Sequence, residues 1–378
     1  TNDTNNSLGE NTNLICPQWQ PISDRIVNTL WSQMSSVMRV NIQDIYRVIE
    51  SDYVPAFNPF VEYLESLPEW HEGDHDYIAD LAATVKIKGE QEHIESPEAD
   101  SSLFTLPSSL PSQEADSSLF TLRSSLPSQE ADSSLFTLRS SLKKWLVGMV
   151  AGWISEDVVN NVILVFIGEQ GAYKTTWFNY LLPPQLKQYF YTKTNANRMT
   201  RDDLLTLAQY GLVCCEELDT MRPAELNQLK AAVTMPSIDE RAAYAHFHEH
   251  RKHIASFCGT GNNVSFLSDP TGNRRWLPFE VESIVSPREH PFCYEGIYSQ
   301  ALALYKSGFT FWFTKEEIQE QNRHNRKFET PRLEHELVDL YFRKPLEHEN
   351  SMFMTSSRVL QIIGSGITQK LSATRIGM

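Results

Sequence analysis

Three stretches of the chain share one layout: a largely apolar run that ends abruptly in polar residues. They are "NNVILVFIG" (160–168), "YGLVCCEELD" (210–219) and "HIASFCGTGNN" (253–263). Between them lie "KTTWFNYLL" (174–182) and "PAELNQLKAAVT" (223–234), whose apolar residues recur at helical spacing. Continuous apolar strands that alternate with helices predict a parallel sheet covered by helices on both faces. Just upstream, "LKKWLVGMVAGWI" predicts an amphipathic helix, with Trp145, Leu146, Met149, Val150 and Trp153 at helical spacing. From Ile22 to about Ile87 the pattern is also helical, broken by "DYVPAFNPF" and "SLPEWHEGDHD".

Between those two regions the pattern stops being structural. "EADSSLFTLPSSLPSQ" (98–113) recurs as "EADSSLFTLRSSLPSQ" (114–129) and begins again as "EADSSLFTLRSSLKK" (130–144). Near-identity at so short a period, with helix-breaking prolines in the units, fits in-frame duplication better than a solenoid. The pattern predicts a flexible tail (1–20), an N-terminal helical region (21–90) and a disordered repeat insertion without chemistry of its own (91–142). An α/β core (143–285), a helical lid or subunit-contact region (286–330) and an incomplete C-terminal region (331–378) follow.

Composition narrows the function classes. No run of about 18 apolar residues predicts a membrane-spanning helix, and the polar start "TNDTNNSLGENTN" has no signal-peptide pattern. The first residue is not Met, so a piece of a longer protein is expected. The five cysteines form no CxxC pair, which favours a reducing cytoplasm. A formal net charge of −15 argues against a surface that coats DNA generally, although a local basic loop would suffice for phosphate recognition.

The candidate chemistry gathers at the carboxyl ends of the three strands, where ligands of such sheets bind. Gly168 to Thr175 match G-x-x-x-x-G-K-[ST] except at Tyr173. Such a loop curls backbone N–H groups around phosphates at a helix N-terminus; a lysine neutralises them and a hydroxyl meets Mg²⁺. Lys174 and Thr175 supply those two groups. Gly168 and Gly171 give the loop freedom, and Ala172, Tyr173 and Thr176 complete the stretch expected to touch nucleotide. A side chain at 173 is tolerable at negative φ; at positive φ it costs about 1–2 kcal/mol. The plainer alternative is an ordinary Gly-rich strand-to-helix turn.

Glu216 and Glu217 close the second run, where one carboxylate would hold Mg²⁺ and the other polarise the attacking water. A strand end followed by an acidic helix start, with Asp219 as a cap, reads equally well. Asn262 closes the third run, placed to sense a terminal phosphate or orient water. Arg274 and Arg275 follow the turn in "SDPTGNRRW", from which an arginine could reach the phosphates of a neighbouring subunit; a surface ion pair is the alternative.

With "GEQGAYKTTWF", "CCEELD", "GTGNN" and "DPTGNRRW" in this order, the chain resembles the virulence-associated E family. These are P-loop ATPases of phages, plasmids and genomic islands, related to superfamily 3 and poxvirus-type primase-helicases. The likeness runs from about Ile22 to the C-terminus, and "DPTGNRRW" is its most specific piece. It implies an AAA+/superfamily 3 helicase-like P-loop NTPase fold that uses ATP and Mg²⁺. Lys174 and Thr175 would be Walker A, Glu216 and Glu217 Walker B, Asn262 sensor 1, and Arg274 or Arg275 an arginine finger. Tyr173 resembles a variant of some members, whereas Glu216 departs from the usual Asp. The implied protein is a homo-oligomer, as a hexameric ring, on single-stranded or forked DNA in the cytoplasm of a bacterial host, with no membrane partner.

In superfamily 3 relatives a β-hairpin before sensor 1 grips single-stranded DNA. Here that interval is "PSIDERAAYAHFHEHRKH" (236–253), which interleaves basic and aromatic residues as base-stacking, phosphate-tracking surfaces do. Arg241, Tyr244, His248, Arg251 and Lys252 are the expected DNA contacts. A metal held by His246, His248 and His250, or a plain solvated hairpin, competes with that reading. By the same resemblance, "FMTSSRVLQIIGSGITQKLSATRIGM" (353–378) begins a winged-helix-like unit. Two rivals to a motor remain: a nucleotide-gated DNA-binding or assembly module with little turnover, and a small-molecule kinase.

Overall fold

The protein is seen in a computed structural model that describes residues 22–54, 57–89, 136–194, 200–240, 249–268, 273–331, 333–343, 352–364 and 371–376. The expected tail and the first two repeat copies lie outside these residues. So do Arg241, Tyr244 and His248.

The chain forms two compact units, which divide after Ser66. In the first, Asn, Ser and Pro punctuation sets the helices. Ser23 caps α1 (Asp24–Ser35), Asn41 caps α2 (Ile42–Ile49) in a reciprocal capping box, and Asn58 caps α3 (Pro59–Glu65), which starts on proline. Trp31 donates to the Val40 carbonyl at 3.2 Å and Tyr46 to Asp24 at 3.1 Å, tying α1 to α2.

The second unit opens with α4 (Tyr77–Ala83) and β1 (Val85–Ile87), so the N-terminal helical region read as 21–90 ends earlier than expected. Then come α5 (Leu138–Ile154), β2 (Ile163–Ile167), α6 (Lys174–Leu181), β3 (Phe190–Lys193), α7 (Arg201–Thr206) and β4 (Leu212–Cys215). They are followed by α8 (Pro223–Val233), β5 (Ser237–Glu240), β6 (Glu249–Lys252), β7 (Ser256–Gly261) and β8 (Trp276–Ile284). The chain continues through α9 (Tyr294–Lys306), α10 (Lys315–Asn325), α11 (Leu333–Tyr341), α12 (Ser356–Ile363) and α13 (Ala373–Ile376).

Six strands make one sheet in the order β1-β8-β2-β7-β4-β3, parallel throughout except for β1 against β8. The side chains of β2 alternate between two covered faces. Ile163, Val165 and Ile167 join Val213, Cys215 and Phe257 in a core with Leu226 and Leu229 of α8. Phe166, on the other face, stacks on Phe178 of α6 at 4.6 Å between ring centroids. The mixed α/β class and the mostly parallel sheet agree with the sequence expectation.

One boundary is corrected. The repeat insertion was expected to reach residue 142, yet α5 begins at Leu138, inside the third copy, with Thr137 as its cap. Phe136, Leu138 and Leu142 are buried there. Phe136 stacks against Phe279 at 5.8 Å, and Arg139 donates to Asp76 at 2.8 Å. Packing, not local sequence, folds this part of the repeat. The C-terminal stretch forms three short helices, α11 to α13, that pack on one another.

Candidate functional site at the carboxyl edge of the sheet

Strand register decides what can meet. Ile167, the last residue of β2, lies beside Gly261, the last of β7. The loop after β2 and the loop after β7 therefore leave the same edge side by side. The Gly168 N–H donates to the Gly261 carbonyl at 3.2 Å, which extends the ladder into the loop. Gly168 has no room for a side chain, because a Cβ there would come within 2.6 Å of the Val281 carbonyl oxygen. Gly171 sits at φ +90, where glycine alone is unstrained.

The loop delivers Lys174 to the first position of α6. Its ammonium is buried and donates to the Gly168 carbonyl at 2.7 Å, the Glu169 carbonyl at 2.6 Å and Asn262 Oδ1 at 3.3 Å. Desolvation lowers the lysine pKa, and the charge of nearby Asp219 opposes that shift. The amine thus rests on its own loop, at a helix N-terminus whose free N–H groups and dipole favour an anion.

Tyr173, just before Lys174, adopts φ 57 and ψ 15, the left-handed region. Tyr173 therefore carries the cost of a side chain held at positive φ. Its ring is 46 % exposed and makes no cap bond to α6. Among the described residues only Glu217 shares a positive φ without being glycine, at 54. Both strained residues sit on loops at the sheet's carboxyl edge, where strain and function often coincide.

Glu216 is partly buried and its N–H donates to the Lys193 carbonyl at 3.1 Å, while Glu217 is exposed. The acid that sequence reading passed over is Asp219. Its Oδ2 accepts from the Asn263 N–H at 3.0 Å, and its Oδ1 is buried with no partner. A buried carboxylate oxygen without a partner is the kind of donor a hard cation takes. The sequence signal was there in "EELD", three acids in four residues, but which of them turns inward depends on the short 3-10 turn Leu218–Thr220.

Arg274 and Arg275 are not brought to this cluster. Trp276, directly after them, pairs with Ile163, at the amino end of β2. The whole of β2 lies between them and Lys174, about 13 Å at roughly 3.3 Å per residue. Burial and the adjacent Arg274 charge lower the Arg275 pKa; the guanidinium stays cationic at any ordinary pH.

The hairpin interval does hold an antiparallel pair, β5 with β6, registered Ser237 to Lys252 and Glu240 to Glu249. Arg251 donates to the Glu240 carbonyl across the pair at 2.8 Å. Lys252 is partly buried, which lowers its pKa. His250, of the alternating histidines, lies 2.6 Å from Asp239, and among the described residues no cluster of three His, Cys, Asp or Glu side chains could hold a metal.

The virulence-associated protein E-like domain matches residues 130–330, just over half of the chain. The chain belongs to that family. In this virulence-associated protein E-like chain the matched stretch contains the Lys174 loop, the three acids, Asn262 and both arginines. No curated protein matches it. Among solved structures, an apo structure of the NrS-1 C-terminal region (305–718) is similar at 16 % identity and a TM-score of 0.32, covering 49 % of this chain and 44 % of that one. Its A form gives a TM-score of 0.36 at 16 % identity, with 50 % and 46 % covered. This chain thus spans under half the length of those neighbours, and a likeness of that strength carries no functional conclusion. No helix among the described residues is long and apolar enough to cross a membrane.

Proposed function

We propose that the chain is the ATPase core of a replication protein of a phage or other mobile element, acting as a ring-forming DNA helicase of the primase-helicase type in a bacterial cytoplasm. The observation that carries this reading is the buried Lys174 ammonium at the N-terminus of α6, within 3.3 Å of Asn262 on the neighbouring strand end. ATP phosphates offer a better partner than the loop carbonyls that Lys174 now contacts, since a charged acceptor makes the stronger hydrogen bond. Gly168, Gly171, Ala172, Tyr173 and Thr176 would line the phosphates with backbone N–H groups.

Mg²⁺, when bound, would neutralise phosphate charge and needs few protein ligands. Thr175 and Glu216 would hold it, and the orphaned Asp219 oxygen offers a further acceptor. Glu217 or Asp219 would orient and deprotonate the attacking water, with Asn262 sensing the terminal phosphate. Arg274 and Arg275, at the opposite edge of the sheet, would serve the site of a neighbouring copy, so activity requires assembly as a ring, hexameric by the family resemblance. The β5–β6 hairpin, with Arg241, Tyr244, His248, Arg251 and Lys252, would contact single-stranded or forked DNA.

The test is ATP hydrolysis across a range of protein concentrations, with and without single-stranded DNA, beside Lys174→Ala. A rate that climbs cooperatively with concentration and vanishes in the variant supports the reading; an unchanged rate in Lys174→Ala removes its basis. Two observations favour the second reading, a nucleotide-gated assembly module: Tyr173 is strained and Lys174 already has three acceptors. Tight ATP binding without turnover by an assembled protein would select it.

A further inference from the structure

The face that α10 turns inward has an unusual composition. Gln321, His324, Asn325 and Phe328 follow one another at i, i+3, i+4 and i+7, so they share one side of the helix and its last turn. A core-facing stripe is ordinarily apolar. Here Gln321 and Asn325 are fully buried amides, and buried amides must find partners.

They find them in a single turn. Gln321 Nε2 donates to the Arg274 carbonyl at 3.0 Å and to the Trp276 carbonyl at 2.8 Å. Asn325 Nδ2 donates to the Asn273 carbonyl at 2.9 Å and again to Trp276 at 3.1 Å. His324 continues the row, its Nε2 lying 2.7 Å from the Pro278 carbonyl. Four main-chain carbonyls around the arginine pair are thus held from one helix.

The end of the same helix holds the other side of the connection. Phe328 O accepts from the Phe266 N–H at 3.0 Å and the Leu267 N–H at 2.9 Å, and the Thr330 N–H donates to Leu267 O at 2.8 Å. The segment that starts at Asn262 and the turn that ends at Arg275 are therefore fastened to one rigid element.

The clamp is also incompletely satisfied. Gln321 Oε1, Asn325 Oδ1 and Asn273 Oδ1 are buried acceptors without partners, and Arg275 Nε and Trp276 Nε1 are buried donors without partners. Of the eight such atoms among the described residues, these five belong to one turn and the helix that grips it.

Resting on the ATPase reading above, we infer that Gln321 and Asn325 are positioning residues that aim the Arg274–Arg275 turn at the nucleotide of a neighbouring copy. They touch no substrate. They fix the main chain from which the guanidinium groups project, and α10 links that pose to the Asn262 side of the loop.

The experiment is a double-mutant cycle in the full chain, at concentrations where it is assembled. Steady-state ATP hydrolysis and binding of a fluorescent ATP analogue are measured for wild type, Gln321→Met, Arg275→Ala and the double variant. Gln321→Met is expected to lower kcat by about tenfold or more while KM and analogue affinity stay within about twofold. Added to Arg275→Ala, it is expected to change the residual rate by less than about twofold, because its effect acts through that arginine. An unchanged kcat, or an equal loss in both backgrounds, overturns the inference while leaving the ATPase reading intact. Asn325→Ser removes the other two donors and is read in the same way if Gln321→Met does not fold; if neither folds, the clamp is merely structural and the inference falls. A wild-type chain without ATP hydrolysis sinks the ATPase reading itself, and this inference with it.

Discussion

The strain at Tyr173 can be weighed directly. The residue lies at φ 57 and ψ 15, where an L side chain costs about 1–2 kcal/mol through its Cβ. Its ring is 46 % exposed, so comparison with wild type would mix ring packing with backbone strain. Tyr173→Ala and Tyr173→Gly both remove the ring and differ only in the Cβ. Glycine escapes the steric cost but loses about 0.5–1 kcal/mol in extra chain entropy on folding. The Gly variant should therefore be the more stable by about 0.5–1 kcal/mol, the difference of those two terms. At a negative φ the same pair would differ by that amount in the opposite direction. Urea unfolding of both variants, with the slopes checked to be equal, reads the difference from the midpoints. An Ala variant as stable as the Gly variant, or more so, would refute the left-handed conformation and with it the argument for stored strain.

Three further outcomes follow from the geometry. Asp219→Asn should cut single-turnover ATP hydrolysis by about 10²-fold or more, as loss of a general base does, and should exceed the effect of Glu217→Gln; the reverse order would reassign the water to Glu217. Mixing Lys174→Ala with Arg275→Ala, which keeps only a residual rate, should raise hydrolysis above that of either variant alone, because an intact lysine can meet an intact arginine across a mixed interface; no recovery in co-assembled protein would place the arginine's role within one chain. His324 is held neutral, its pKa lowered to about 4, chiefly by burial, against the Pro278 carbonyl. The unfolded chain binds that proton from about pH 6.5 downward and the folded one only near pH 4, so stability should fall by about 3 kcal/mol across that window and level off below it. Urea midpoints from pH 7 to pH 4 should show this slope, and His324→Gln should flatten it.

Much of the core could be read from the chain because each central strand carries its own signal. The runs ending at Ile167 and Cys215 are apolar throughout, and the run ending at Gly261 carries polar side chains only at Ser256 and Thr260, as suits strands covered on both faces. Strand β8 gave no such signal. Pro278 and Glu280 sit inside it, and a proline argues against a strand between two neighbours, yet β8 lies between β1 and β2. Its place is fixed by Trp276 and Phe279 in the core and by His324 against Pro278. The three residues of β1 gain meaning only by pairing with β8. The start of α5 was hidden for a related reason: "SSLFTLRSSL" stands at both 117–126 and 133–142, so local sequence could not mark the second as a helix start.

The sequence by itself determined the strands' order of chemistry: a glycine-lysine loop, then acids, then an asparagine, then two arginines. Those residues lie near strand ends, and the apolar runs that locate strand ends are local. Three matters belonged to the tertiary structure alone. The sign of φ at Tyr173 follows from how the loop must leave β2 beside Gly261. The inward acid is Asp219 because the turn after β4 brings its carboxylate to the Asn263 N–H. The arginines stand at the far edge because β8 runs parallel to β2, a pairing between residues more than a hundred positions apart. Side-chain identity is written in the chain, but which identities meet is set by packing across it.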